Sequence, residues 1–120
     1  MKPALKEVVE AIWEAIDKYK NELVLVEGKK DKHALESLGF QRVYTVNVNK
    51  PLYEVAESIN EERIIILTDL DKKGKEIYSK IKKDLDKRGV LVDDSLRNLI
   101  FQTEIHQIEG LARYLTRFSE

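Results

Sequence analysis

The chain has 120 residues, 36% of them charged, with 21 Lys+Arg against 22 Asp+Glu for a net charge of −1. That is room for one domain with a real core but not for a second of ordinary size, and it excludes a polycation that coats nucleic acid indiscriminately. The absence of cysteine removes disulfide frameworks, Cys-ligated zinc, iron–sulfur clusters and thiol nucleophiles together.

No apolar run approaches the roughly 20 residues of a membrane span, and the start MKPALKEVVEAIWEAID is amphipathic and acidic, unlike a signal or transit peptide. A cytoplasmic protein without membrane contact is expected, as a single domain over 1–120. Ala4, Leu5, Val8, Val9, Ile12, Trp13 and Ile16 recur at three- and four-residue intervals, which predicts a helix over about 3–18 with one buried stripe. Leu23-Val24-Leu25-Val26 is continuously apolar and stops at Glu27-Gly28. It reads as a short strand buried on both faces, the kind found in parallel sheets. A helix follows from about Lys30 to Leu38, ending at Gly39 as a left-handed cap.

Arg42 to Val46 is rich in strand formers, and after a turn over 47–50 Pro51 opens a short helix through Ile59. Ile64 to Leu67 is the second fully apolar strand and runs into Thr68-Asp69-Leu70-Asp71. A charged helix from about Lys73 to Lys87 carries Ile77, Ile81 and Leu85 on one face and stops at Gly89. Val90 to Val92 is a fourth strand. C-terminal helices over about 94–118 complete the chain: one capped by Asp93 or Asp94 and holding Leu96, Leu99 and Ile100, one over Ile108 to Phe118. This alternation predicts a right-handed, doubly wound α/β fold of about four parallel strands with helices on both faces, Rossmann-like in plan. Its ligand site belongs beyond the carboxyl ends of adjacent strands, where strand order reverses.

Two strands end in acids, Glu27 on the first and Asp69 with Asp71 on the third. In the order 2-1-3-4 all three carboxylates converge, and an all-oxygen set suits Mg²⁺ or Mn²⁺ better than zinc. Alternate residues of an extended segment point the same way, so Asp69 and Asp71 can address one ion. Asp71 has a second reading as the cap of the helix that follows, and Gly28 and Gly74 either let the backbone approach a phosphate or serve turn geometry.

The segments LVLVEGKKDKHAL (23–35) and IIILTDLDKKG (64–74) resemble the two signature motifs of the Toprim domain, the metal-binding module of topoisomerases, bacterial-type primases and several nucleases. The resemblance implies that Glu27 is a general acid or base and that Asp69 and Asp71 hold Mg²⁺. Asp31 matches the further acid of the first motif, in support of Glu27 or of the helix start. Topoisomerases often carry a third acid two residues after Asp71; Lys73 stands there, as on the primase and nuclease side of the family.

The stretch Lys72 to Arg88 holds eight basic residues against three acids, a local charge of +5 in a chain of net −1. Lys29, Lys30, Lys72 and Lys73 flank the carboxylates and are the candidates for phosphate binding. The histidines, His33 and His106, form no ligand pattern, and the stretch His106 to Gly110, with Glu109, is polar enough to approach the site. Together these features point to a Mg²⁺-dependent nuclease acting on RNA or structured DNA. The alternatives are a non-catalytic RNA- or DNA-binding module of a larger protein complex and a Mg²⁺-dependent phosphotransfer enzyme for small molecules.

Overall fold

The computed structural model describes residues 3–46 and 49–118. Asn47 and Val48 of the expected turn lie outside the described residues, as does the side chain of Ala4. The elements run α1 (Pro3–Tyr19), β1 (Leu23–Val26), α2 (Lys29–Ser37), β2 (Arg42–Thr45), α3 (Leu52–Ser58), β3 (Arg63–Ile66), α4 (Lys72–Lys87), β4 (Leu91–Val92), α5 (Ser95–Ile100), a 3₁₀ turn (Ile108–Gly110) and α6 (Leu111–Phe118). Boundaries move by a residue from the sequence reading, except that the last expected helix begins as the 3₁₀ turn. Gly39 and Gly89, at φ of 107° and 78°, take the left-handed conformation that ends α2 and α4.

The sheet is four-stranded and wholly parallel, in the order β2-β1-β3-β4. Its inner strands are apolar at successive positions because side chains alternate between two separate cores. Val24, Val26, Ile65 and Leu67 face one core, filled from α1, α2, α5 and α6 by Ile12, Leu35, Ile100, Leu111 and Leu115. Leu23, Leu25, Ile64 and Ile66 face the other, filled from α3 and α4 by Ala56, Ile81 and Leu85. A fully buried Leu or Ile contributes about 1.5–3 kcal/mol, so these runs anchor the sheet on both sides. Trp13, expected within the first core, is only half buried at its edge. At the amino ends of the strands Arg42 pairs with Glu61 and Arg63 with Glu22. Among the described residues no helix is long and apolar enough to cross a membrane.

Candidate metal centre and its lysine-rimmed cleft

β1 and β3 are neighbours, and the helices that follow them pack on opposite faces, α2 in the first core and α4 in the second. Their divergence opens a crevice at the carboxyl end of the sheet, where a doubly wound fold places its ligand. Continuing the register Leu25↔Ile66 by two residues brings Glu27 level with Thr68. Glu27 Oε2 accepts a hydrogen bond from the Asp69 amide at 2.8 Å. Asp31, in the first turn of α2, folds back so that its Oδ2 accepts from the Gly28 amide at 3.1 Å.

The segment between α5 and α6 crosses to this crevice and is fastened to the β3–α4 loop at two points. The Ile108 amide donates to Asp69 Oδ1 at 2.8 Å, and the Leu70 amide donates to the His106 carbonyl at 2.8 Å. Ile108 is fully buried in the first core, so the donor that orients Asp69 is itself held by packing. Asp71 ends the loop as the N-cap of α4, its Oδ1 accepting from the Gly74 amide at 2.7 Å.

Glu27, Asp31 and Asp69 each bring a carboxylate oxygen to within 4.8 Å of the other two. Asp71, exposed at the helix start, stands outside this group, though its charge is felt at Glu27. Burial lifts the Glu27 pKa above its ordinary 4.5; the Asp69 amide opposes the shift, and the charges of Asp69 and Asp71 add to it. Burial, then the charge of Asp69, lifts Asp31 above its ordinary 3.8. Among the described residues no lysine or arginine forms an ion pair with any of these acids. Three mutually repelling carboxylates, oriented by main-chain amides and with no side-chain cation on them, fit a hard divalent ion such as Mg²⁺ or Mn²⁺.

The acids open on a cleft of about 390 Å³. Lys29, Lys30 and Lys73 reach it, Val46 and Ile77 give it an apolar wall, and Gln107 and Glu109 enter from the crossing segment. Lys72, expected beside them, instead borders a shallow space along the outer face of α4, with Lys75, Lys80, Lys83 and Lys87. His33 and His106 are exposed.

The two glycines differ. A Cβ on Gly74 would stand 2.1 Å from the Asp69 carbonyl oxygen, so Gly74 is there to let the first turn of α4 lie against the Asp69 backbone. A Cβ on Gly28 would meet nothing nearer than Asp31 Oδ2 at 3.9 Å, and its φ of −145° suits any residue, which leaves open space facing the cleft. Sequence reasoning brought the stretch His106 to Gly110 towards the site, and Gln107 and Glu109 do line the cleft; it did not find the role of the Ile108 amide or the buried Arg97 behind β3. The amide carries no side-chain signal at all, and Arg97 shows only as a charge beside Leu96 on a short apolar helix.

The Toprim domain family matches over residues 21–94, a span that holds Glu27, Asp31, Asp69 and Asp71. The chain is 31% identical to a UPF0292 protein of Methanocaldococcus jannaschii over 92% of its own length and 94% of the relative's. It is 35% identical to a UPF0292 protein of Pyrococcus horikoshii over 80% of this chain and 76% of that one. A solved structure of a protein from Aquifex aeolicus superposes with a TM-score of 0.70 at 32% identity, covering 91% of this chain and 99% of that one.

Proposed function

Because the chain belongs to the Toprim domain family, alongside the UPF0292 proteins, we propose that it is a Mg²⁺- or Mn²⁺-dependent nuclease that hydrolyses phosphodiester bonds in RNA or structured DNA. The observation that carries this reading is the carboxylate group of Glu27, Asp31 and Asp69 at the base of a cleft reached by three lysines. Asp69 is common to the sequence motif and to the cluster, and is the principal holder of the ion, with Asp31 in reach and Asp71 completing the charge at the start of α4. The ion, when bound, neutralises charge at the scissile phosphate. Lys29, Lys30 and Lys73 bind the flanking phosphates and so fix the position of the strand. Glu27 Oε2 is engaged by the Asp69 amide, and Oε1 takes the proton of the attacking water as its oxygen bonds to phosphorus; the P–O bond to the leaving ester oxygen breaks, and that oxygen takes a proton from solvent.

One observation favours a second reading, a binding module without cleavage: Lys73, a cation, lines the cleft where some family members place another acid. Labelled single- and double-stranded RNA and DNA, incubated with Mg²⁺, Mn²⁺ or EDTA, separate the two. Metal-dependent cutting that drops about 10²- to 10⁴-fold in Glu27→Gln, with binding little changed, is expected for the nuclease. Tight binding with no cutting on any substrate rejects it in favour of the module.

A further inference from the structure

Arg97, on α5, is a charge in an apolar place. It is 6% exposed, and its guanidinium lies between the rings of Tyr78 and Phe101, 4.3 and 4.9 Å from their centroids. Its Nη1 donates to the Thr68 carbonyl at 2.7 Å, with longer contacts to Thr68 Oγ1 at 3.3 Å and the Ile66 carbonyl at 3.4 Å. Among the described residues it forms no ion pair. A guanidinium in a protein stays protonated, and burying an ion without a counter-charge is expensive. Packing does not require one here, since a methionine or leucine would also fill the gap between two rings.

What Arg97 reaches is one particular peptide group. The Thr68 carbonyl that accepts from Arg97 and the Asp69 amide that donates to Glu27 Oε2 belong to the same peptide unit. In a trans peptide these groups point in opposite directions, so the guanidinium stands behind the strand end and the carboxylate in front of it. A cation at the oxygen polarises the amide and makes its N–H a stronger donor. Burial lowers the Arg97 pKa, and among the charges opposing that shift are Asp94, Glu27 and Asp69, so the acids of the crevice and this cation sense one another through the interior.

We propose that Arg97 is a positioning residue for the acidic centre. From behind β3 it fixes and polarises the Thr68–Asp69 peptide, which in turn holds the Glu27 carboxylate. It also supplies the internal positive charge that lets Glu27 and Asp69 share the crevice before an ion arrives. The proposal does not depend on nuclease activity, and its test uses neither metal nor nucleic acid.

Unfolding by denaturant is measured in metal-free buffer for wild type, Arg97→Met, Glu27→Gln and the double variant, together with the amide shift of Asp69 by NMR. Arg97→Met should raise the unfolding equilibrium constant by about fivefold or more in excess of its effect in the Glu27→Gln background, the coupling of residues that interact. The Asp69 amide proton should move in Arg97→Met and stay near its wild-type position in Arg97→Lys, which keeps the charge. A role in packing alone makes the two changes additive and leaves that amide where it was; either result overturns the proposal. If Arg97→Met does not fold, the shift in Arg97→Lys decides, and one as large as that in Glu27→Gln refutes it.

Discussion

Replacing Gly74 with alanine sets helix propensity against close packing. Alanine favours a helix over glycine by at most about 1 kcal/mol, so propensity alone predicts a small gain in stability. The new Cβ would lie 2.1 Å from the Asp69 carbonyl oxygen and 2.9 Å from its nitrogen, both main-chain atoms that cannot rotate away. Even an approach of 3.0 Å requires a 0.9 Å displacement, since 3.0 − 2.1 = 0.9. Two hydrogen bonds of 2.7 Å, Thr68 Oγ1 to the Gly74 carbonyl and the Gly74 amide to Asp71, span the same joint and would stretch to about 3.6 Å, beyond useful range. Overpacking costs about 1–3 kcal/mol and the two bonds about 1 kcal/mol each, so net destabilisation should be about 3 kcal/mol. For a domain of this size that lowers the melting temperature by roughly 10–15 °C. Circular-dichroism melting in EDTA measures it, with Gly28→Ala as the control that should lose no more than about 1 kcal/mol, the usual cost of alanine at an N-cap, because its Cβ meets open space. A Gly74→Ala variant that melts at or above wild type would refute the argument from close approach.

Glu27 and Asp31 titrate above their ordinary 4.5 and 3.8, so the metal-free native state holds more protons than the unfolded chain in the window above those values. Their contribution to stability therefore falls as pH rises through it; melting in EDTA from pH 4.5 upward should show a shallower pH slope for Glu27→Gln than for wild type, and equal slopes would contradict the shifts. Asp71→Ala should cost about 1 kcal/mol through loss of the cap on α4, while Asp71→Asn, itself a good cap, should melt near wild type; equal losses would mean that the cap is not what matters. Mn²⁺ titration should show a larger loss of affinity for Asp69→Asn than for Asp71→Asn, because Asp69 belongs to the close carboxylate group, and the reverse order would return Asp71 to the centre of the site. If nucleic acid binds over the cleft, changing Lys29, Lys30 and Lys73 to Gln should lower the slope of log K against log salt by roughly 0.7–0.9 for each lost phosphate contact; if only Lys75, Lys80, Lys83 and Lys87 matter, the strand instead follows the outer face of α4.

The fold was legible because its inner strands are short, apolar apart from Arg63 at the start of β3, and followed by acids or glycine. The run 23–26 has to be covered on both faces, which already implies parallel strands and helices on two sides. The meeting of Glu27 with Asp69 followed from one further assumption, that β1 and β3 are neighbours. The double role of Asp71 was readable but not decidable, since the same side chain serves a cap or an ion and local sequence does not say which. The approach of 106–110 to the site was legible from its polarity, but how it acts on Asp69 was hidden for a different reason. Asp69 is oriented by the main chain of Ile108, 39 residues away, and an amide looks alike in every sequence. Arg97 escaped because a single charge on a six-residue helix reads as surface until the packing of α5 on β3 is known.

Each of the four acids is fastened by a main-chain N–H, from Gly28, Asp69, Gly74 or Ile108. At Gly28, Asp69 and Ile108 a contact of that kind survives almost any exchange of the donor's side chain, proline excepted; Gly74 differs, because a side chain there would collide with the Asp69 backbone. Position 108 can therefore drift among apolar residues that still fill the core, and the acid it orients is undisturbed. The side chains reaching into the cleft, Lys29, Lys30, Lys73, Gln107 and Glu109, are not what holds the carboxylates in place and can change independently of them. Descendants of one ancestor could thus exchange the whole rim, and with it the preferred target, while inheriting the same carboxylate geometry unaltered.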